Sequence, residues 1–587
     1  MLPDFIAQSS LDLQSYAVRN YQAGLQADFF NNKTLSGSSV LTRIDPTVEF
    51  DWQQSTPNPR VSESFSARWS GKIQPKQSET YTFTTESDDG VRLWVNNQLL
   101  IDHWDAHPVK RDQAVISLQA NQQYDIRLEY FNEAGVATVK LGWESTSQAA
   151  QIIPPTQLST IEQSMMQARA QGSGRIYYVS GAGSDENNGE SPETAFRTLQ
   201  KAGDRIATGD TIYVMNGTYS TNSDREVLLI YEKNGSPNQW TTIKAFPGHR
   251  PKIESRSRYA INVQGSSYVR IAGLELEGNN KNTSLEYALS QRGNLNNTSV
   301  NNNGIAIYPS GESNGNYKFN PHHIEIRDNR IHGFGGGGIG VNRGDYITIE
   351  NNKVYNNGLY TSNGASGISV IYNWNSDDNT NDYKMIIRGN EVYDNNSFVP
   401  WWEAGQVTEG NGIILDDGKN TQERSSKLPY RGRTLVDNNL VYNNGAAGIQ
   451  VFSSENVDVI NNTTYQNSQN PDTHYGEIVA SFSDRVTVLN NIMVPQPGKK
   501  VNTIFQSKRD IRFENNLIYN SDNYTGLGQG NIFGKDPQFV DPAKRDFRLR
   551  SNSPAIDAGA VRPEVQVDFM QRPRAGIQDI GAIEFSP

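Results

Sequence analysis

Apolar and polar residues alternate in short runs between residues 17 and 146. The stretches "SFSARWSGKI", "ETYTFTTES", "VRLWVNNQLLIDHW", "QYDIRLEYF" and "ATVKLGWE" place aromatic or β-branched side chains at alternate positions. A period of two turns one face of a strand to a core and the other to water. The pattern therefore predicts antiparallel strands packed as a β-sandwich. Residues 147–173, with the Pro pair of "SQAAQIIPPTQL" and a short helical pattern around 158–170, read as a linker. From residue 174 the period changes. Phe196, Leu199, Ala202 and Ile206 share one face of a helix, with Thr194 placed to cap its start and Gly209 to stop it. "TIYVMNGTY" then reads as an edge strand.

Beyond residue 260 the chain repeats a short strand, an Asn doublet, an apolar–x–Tyr step, another Asn and a Gly-Ile strand. The aligned asparagines are Asn329, Asn352, Asn390, Asn439, Asn462, Asn491 and Asn516, so successive differences are 23, 38, 49, 23, 29 and 25 residues. A basic period in the twenties, with one fixed turn residue per unit, predicts a solenoid. Stacked coils would bring the asparagines into a hydrogen-bonded ladder. The helix would cover the first coil, because an open solenoid edge invites pairing. The last part of the chain, from "DPQFVDPAKRDFRLRSNSPAIDAG" onward, breaks the repeat and is expected to cap the far end. The whole is an all-β chain: a sandwich over 17–146, a linker over 147–173 and a solenoid with an N-terminal capping helix over 174–587.

Composition narrows the function. The net charge of −11 argues against a nucleic-acid face, which needs clustered Lys and Arg. The absence of Cys excludes disulfides, thiolate metal sites and cysteine nucleophiles. No apolar run reaches membrane-spanning length. "MLPDFIAQSS" lacks a charged n-region and a long apolar core, so no leader is read in it. A monomer is expected.

"YYVSGAGSDENNGESPETAFRTLQKAGDRIATGDTIYVMNGTY" resembles the opening of right-handed parallel β-helix proteins that act on polysaccharides, and the resemblance runs to the C-terminus. "TTESDDGVRLWVNNQLLIDHW" and "IRLEYFNEAGVATVKLGW" resemble a protective-antigen-type β-sandwich often appended to sugar-active enzymes and adhesins. These resemblances imply an extracellular or periplasmic protein with a glycan partner. They imply Ca²⁺ at the paired Asp88 and Asp89, with Asp102 as a neighbouring acid, holding sugar hydroxyls. Ca²⁺ takes six to eight oxygen ligands, which diols supply well.

The Gly-Ile strands locate the candidate chemistry. Ile305, Ile339, Ile368, Ile413 and Ile449 align on the core face, and Tyr308, Asn342, Ile371, Asp416 and Phe452 form an outward column. Asp416 is thus expected to face out unburied, with Asp417 at the strand end beside Tyr372 and Ser453, where a sister coil has Arg343. Long insertions gather around this coil. They carry Trp374, Trp401 and Trp402, flat faces on which sugar rings stack, and a basic run of Lys419, Arg424, Lys427, Arg431 and Arg433 against Glu423. Tyr372, Arg343 and the tryptophans are the candidate substrate contacts. The basic insertion favours β-elimination from a uronate-containing polysaccharide as the first reading. Glu409, Asp416 and Asp417 would hold Ca²⁺, and Lys427, Arg431 or Arg433 would act as base or clamp. A second is glycoside hydrolysis by two carboxylates drawn from Glu403, Glu409, Asp416, Asp417, Asp377 or Asp378. A third is a non-catalytic adhesin rod. His322 and His323 are assigned no role.

Overall fold

The structure is a computed structural model describing residues 23–160 and 174–586, apart from residues 38, 97, 314, 315, 508, 527 and 575. It divides into two compact units between Gly172 and Ser173.

The first unit is an antiparallel sandwich of a seven-stranded and a five-stranded sheet among the described residues. Trp69, Phe29 and Phe83 are buried between them, and Tyr81 stacks on Trp143 with centroids 4.7 Å apart. The sandwich continues past residue 146. Gln148–Ile152 pairs with Ala137–Ser145 in the second sheet, and Leu158–Ser159 pairs with Phe65–Ile73 in the first. The expected linker is therefore shorter. The helical pattern around 158–170 opens on that strand, and residues 161–173 lie outside the described residues.

In the second unit each coil contributes one strand to each of three parallel sheets, of eleven, eleven and nine strands among the described residues. The first sheet includes Asp345–Glu350 and Glu455–Ile460, the second Lys353–Tyr355 and Leu440–Tyr442, and the third the Gly-Ile strands such as Ile413–Asp416. Parallel pairing sets Ile305, Ile339, Ile368, Ile413 and Ile449 in one buried column.

The asparagines do form a ladder. Each amide from Asn329 to Asn516 donates to the Oδ1 of the next at 2.9–3.0 Å, and Asn516 continues to Asn531 at 3.1 Å. The same Oδ1 also accepts the backbone N–H of the preceding ladder residue, as between Asn390 and Asn439 at 2.9 Å. A dry interior requires such pairing of its polar atoms. The doublet has a backbone cause. The residue before each ladder asparagine takes a left-handed φ, as at Asn351 (56°), Asn438 (55°), Asn461 (53°) and Asn490 (56°), a conformation that Asn tolerates better than most side chains. A second ladder stands at the next turn. Asn357, Asn395, Asn444 and Asn467 link at 2.9–3.1 Å and end on the buried carboxyl of Glu477, 2.6 Å from Asn467 Nδ2. Between the ladders Tyr355, Tyr393 and Tyr442 stack at 4.8–4.9 Å.

The ends differ from expectation. The helix is Leu199–Arg205, capped by Thr198, whose side chain accepts the Lys201 N–H; Thr194 instead closes a turn with Ser191 and Asn188. The cap shifts because Phe196 is drawn into a bridge with Val179 and stays extended. Phe196, Leu199, Ala202 and Ile206 are nevertheless all buried against the first coils. The edge strand is Ile176–Val179, and Thr211–Val214 is paired on both sides. The segment after residue 535 does not cap the far end. It runs along the flank and binds the outward asparagines of the doublets: Gln571 to Asn351, Arg574 to Asn438, Asn461 to the Asp579 carbonyl, and Asn490 to the Ala560 carbonyl. Phe547 packs on Tyr442 and Tyr465. The last coil is closed by the residues just before, where Asn502 reaches the Thr525 carbonyl and the Gly528 N–H donates to the Phe513 carbonyl.

The ladders make two stability predictions. Asn439→Ala removes the acceptor of the Asn390 backbone N–H and of one of its two amide hydrogens, the other staying on the Ile349 carbonyl, and lowers stability by about 2–4 kcal/mol. Asn356→Gly, at an exposed left-handed position (φ 54°), changes it by less than about 0.5 kcal/mol; urea unfolding checks both. Burial pushes the Glu477 carboxyl up to about 8. A folded-state pKa raised above the unfolded value contributes stability that is lost as pH rises. Unfolding free energy measured from pH 5 to 8 should therefore fall more steeply in the native chain than in Glu477→Gln, by on the order of 1 kcal/mol per pH unit.

Candidate functional site on the third solenoid sheet

The register is as the repeat predicts: Asn342 stands beside Ile371, Ile371 beside Asp416 and Asp416 beside Phe452. Asp416 faces outward but is only partly exposed, because the next insertion folds back over it. Gln422 Nε2 donates to its Oδ1 at 3.0 Å, and Gln422 Oε1 accepts the Tyr372 hydroxyl at 3.0 Å. Burial, then the neighbouring carboxyl of Glu409 and then that of Asp417, push Asp416 up to about 8. Glu409, in the insertion that leads into this strand, accepts from Ser366 Oγ at 2.8 Å and Asn411 Nδ2 at 3.1 Å, and burial pushes it up as well. The two carboxyls thus act on each other and resist joint ionisation.

Asp417 does not share this role. It takes a left-handed φ of 45°, as Arg343, Tyr372 and Ser453 do in sister coils, and its side chain turns inward. The buried carboxylate accepts from Thr421 N and Oγ1 (2.8 Å each), Gln422 N (2.9 Å) and Ser453 Oγ (3.0 Å). It anchors the insertion, with three of these bonds on Oδ1 and one on Oδ2. The adjacent acids therefore diverge.

The basic run disperses too. Lys419 pairs with Asp484 at 2.7 Å, and Arg424 with Glu403 at 3.2 Å. Lys427 donates to the carbonyls of Thr421 and Gln422 in its own loop. Arg431 pairs with Asp378 at 2.6 Å, and Arg433 with Asp458 at 2.7 Å. None of these cations is among the groups acting on Asp416. Arg343, buried at the groove's edge, donates to the Arg424 carbonyl at 2.8 Å and lies over Tyr317. Trp374 is tied by Nε1 to the Pro321 carbonyl at 3.2 Å. Trp401 accepts from Arg292 through its carbonyl, and Trp402 stays 40% exposed on the flanking loop.

Sequence reasoning missed the brace beneath the insertions. Lys384 is fully buried, 2.7 Å from Asp345 and 2.9 Å from Asp377. Tyr430 and Ser376 complete the hydrogen bonds to Asp345 at 2.9 and 2.6 Å. Burial raises the Asp377 carboxyl, but hydrogen bonds from Tyr346 and Lys384 outweigh it and hold it at about 2. No local pattern marks this cluster, since its members come from three separate coils. Two surfaces extend the groove. A 230 Å³ cleft that includes Arg258, Asn303, Asn342 and Ser369 lies upstream. Phe452, Phe482 and Phe505 lie downstream, edge to face at 5.4 Å.

In the sandwich, Asp88 and Asp89 meet beside His107 and the buried Tyr130. Burial and Asp89 push the Asp88 carboxyl up, while Asp89 accepts the Glu133 N–H at 2.6 Å. Asp102 is exposed and stands opposite Arg92 in the strand pair. Among the described residues no three His, Asp or Glu side chains are placed to hold a metal ion. Of the two aspartate pairs, Asp88 and Asp89 stand close to each other, whereas Asp416 and Asp417 point apart.

Comparisons with known proteins respect the same division. The PA14 domain family matches residues 22–157, and the family described as a right handed beta helix region matches residues 406–531. The anti-sigma-I factor RsgI3 of Acetivibrio thermocellus is 41% identical over 157 residues, 27% of this chain, which span only 24% of that protein's length. The uncharacterized protein YwoF of Bacillus subtilis is 25% identical over 475 residues, covering 66% of this chain and 93% of its own length. The crystal structure of pectate lyase Pel9A is 18% identical, covers 70% of this chain and 97% of its own, and superposes with a TM-score of 0.42. Each unit thus contains one of the two family matches, the PA14 domain in the antiparallel sandwich and the right handed beta helix region in the parallel solenoid.

Proposed function

We propose that the chain is an extracellular glycan-active protein. Its PA14 unit holds a glycan, with Asp88 and Asp89 contributing to a Ca²⁺ site. Its β-helix hydrolyses a polysaccharide laid along the third sheet, with Glu409 and Asp416 as the acid–base pair. The supporting observation is a pair of carboxyls that burial pushes up, with the charge of Glu409 acting on Asp416. Asp416, at about 8, keeps its proton at neutral pH and donates it to the leaving oxygen. Glu409, the partner carboxyl, activates water or attacks. Lys427, Arg431 and Arg433 have no part in this chemistry. A second reading, β-elimination from a uronate polymer, draws support from Arg343 at the groove's edge, where a guanidinium could neutralise the uronate carboxylate.

A panel of uronate and neutral polysaccharides separates the two. Hydrolysis yields reducing ends without new ultraviolet absorbance, and an absorbing product would replace it with elimination. Glu409→Gln and Asp416→Asn should each lower kcat by about 10²-fold or more, while Lys427→Ala stays within about twofold. Activity should decline as pH rises through about 8, where Asp416 loses its proton, and Asp416→Asn should lack that limb. Retained turnover in Asp416→Asn would remove it from the mechanism. Separately, glycan retention by the PA14 unit should be lost with chelator and in Asp88→Asn.

A further inference from the structure

The basic run that the sequence places beside Asp416 is split by the fold, and two of its members open onto a different face. Arg431 and Arg433 enter a trough of 590 Å³ on the outer face of the first solenoid sheet. Its floor is built from two columns. Asp458, Thr487 and Arg512 stand side by side in the parallel register, and Asn456, Arg485 and Asp510 precede the strand partners Val457, Val486 and Ile511 by one residue. Thr380 and Pro429 come from the overhanging insertions and form a wall.

We propose that this trough binds an acidic oligosaccharide, sugar rings bearing carboxylate or sulfate groups, at a site separate from Glu409 and Asp416. Four arginines face three acids in the lining, a local reversal of sign in a chain of net charge −11. Two of the acids are already engaged: Asp458 by Arg433 at 2.7 Å, and Glu455 by Arg485. Arg512 is exposed and has no ion-pair partner among the described residues. The Arg431 guanidinium pairs with Asp378, which is 94% exposed and outside the trough. Such an exposed pair contributes little, so a ligand anion can replace Asp378 at small cost. A guanidinium presents a planar fork that suits carboxylate and sulfate oxygens.

The spacing selects an oligomer. The coil of Arg433 and the coil of Arg512 are three strand steps apart, about 14 Å at about 4.8 Å per step. One small anion cannot bridge that span, whereas several linked rings can. Between the two cationic ends, Asn456 and Thr487 offer donors and acceptors to sugar hydroxyls. The lining has no large exposed apolar side chain to hold a hydrophobic ligand. The proposal does not depend on the β-helix being catalytic.

Calorimetric titration of the full chain tests it, with a galacturonate hexamer as probe and its methyl-esterified form as the uncharged counterpart. The acidic hexamer should bind and weaken as salt rises from about 50 to about 500 mM. Arg431→Ala with Arg512→Ala should reduce its affinity about tenfold or more, and both positions are exposed enough for the variant to fold. Glu409→Gln should leave this binding within about twofold. Binding that survives the double variant, equal binding of the ester, loss in Glu409→Gln, or no binding of the hexamer would each overturn the assignment.

Discussion

One amide per coil, repeated at a fixed turn, holds the second unit in register. The Asn ladder demands two things at once: a left-handed residue immediately before it, and an interior dry enough that each amide must find its neighbour. The first is met by Asn, Asp or Gly at the preceding position. The second is met by stacked Ile and Val side chains on the same coils. Strand slippage would unpair the whole ladder, so the register is fixed far more strongly than by the apolar columns alone. The outward asparagines of the doublets then serve a second purpose, tying the C-terminal segment to the flank.

That rigid register allows long insertions without loss of order. Three of them leave the coils around Ile413–Asp416, and buried charge anchors them beyond what apolar packing supplies. Asp417 gathers four hydrogen bonds at the start of one loop, and Lys384 with Asp345 and Asp377 braces the insertion over 372–383 and, through Tyr430, the end of that same loop. A buried ion pair is costly unless every oxygen and proton is satisfied, and Tyr430, Ser376 and Tyr346 satisfy this one. The covering loops in turn desolvate Asp416 and Glu409. The same loops that bury the pair turn Arg431 and Arg433 to another face, so acidic and basic surfaces end on different sides of the solenoid.

Much of this was legible from the chain. The period of two across the sandwich, the period in the twenties with its asparagines, the inward isoleucine column and the outward position of Asp416 all rest on local backbone rules, because each depends only on residues near in sequence or on exact repetition. The helix face was legible as well, though its cap moved from Thr194 to Thr198 once Phe196 paired with Val179. The second ladder, ending on Glu477, could have been found from Asn357, Asn395, Asn444 and Asn467, which recur at a fixed offset from the first.

What the sequence could not decide was where irregular segments go. Strand alternation already sets adjacent Asp416 and Asp417 apart, but only the fold shows that a left-handed turn sends the second into a loop's hydrogen bonds. Five nearby cations look like one patch, but each is claimed by its own partner: Lys427 by carbonyls of its loop, the rest by acids from other segments. The C-terminal segment looks like an end cap, yet it runs along the side because the doublet asparagines present their outward amides there. Repetition encodes strand register locally. Insertions have no repeat to obey, so their side chains are placed only by long-range hydrogen bonds and desolvation in the folded molecule.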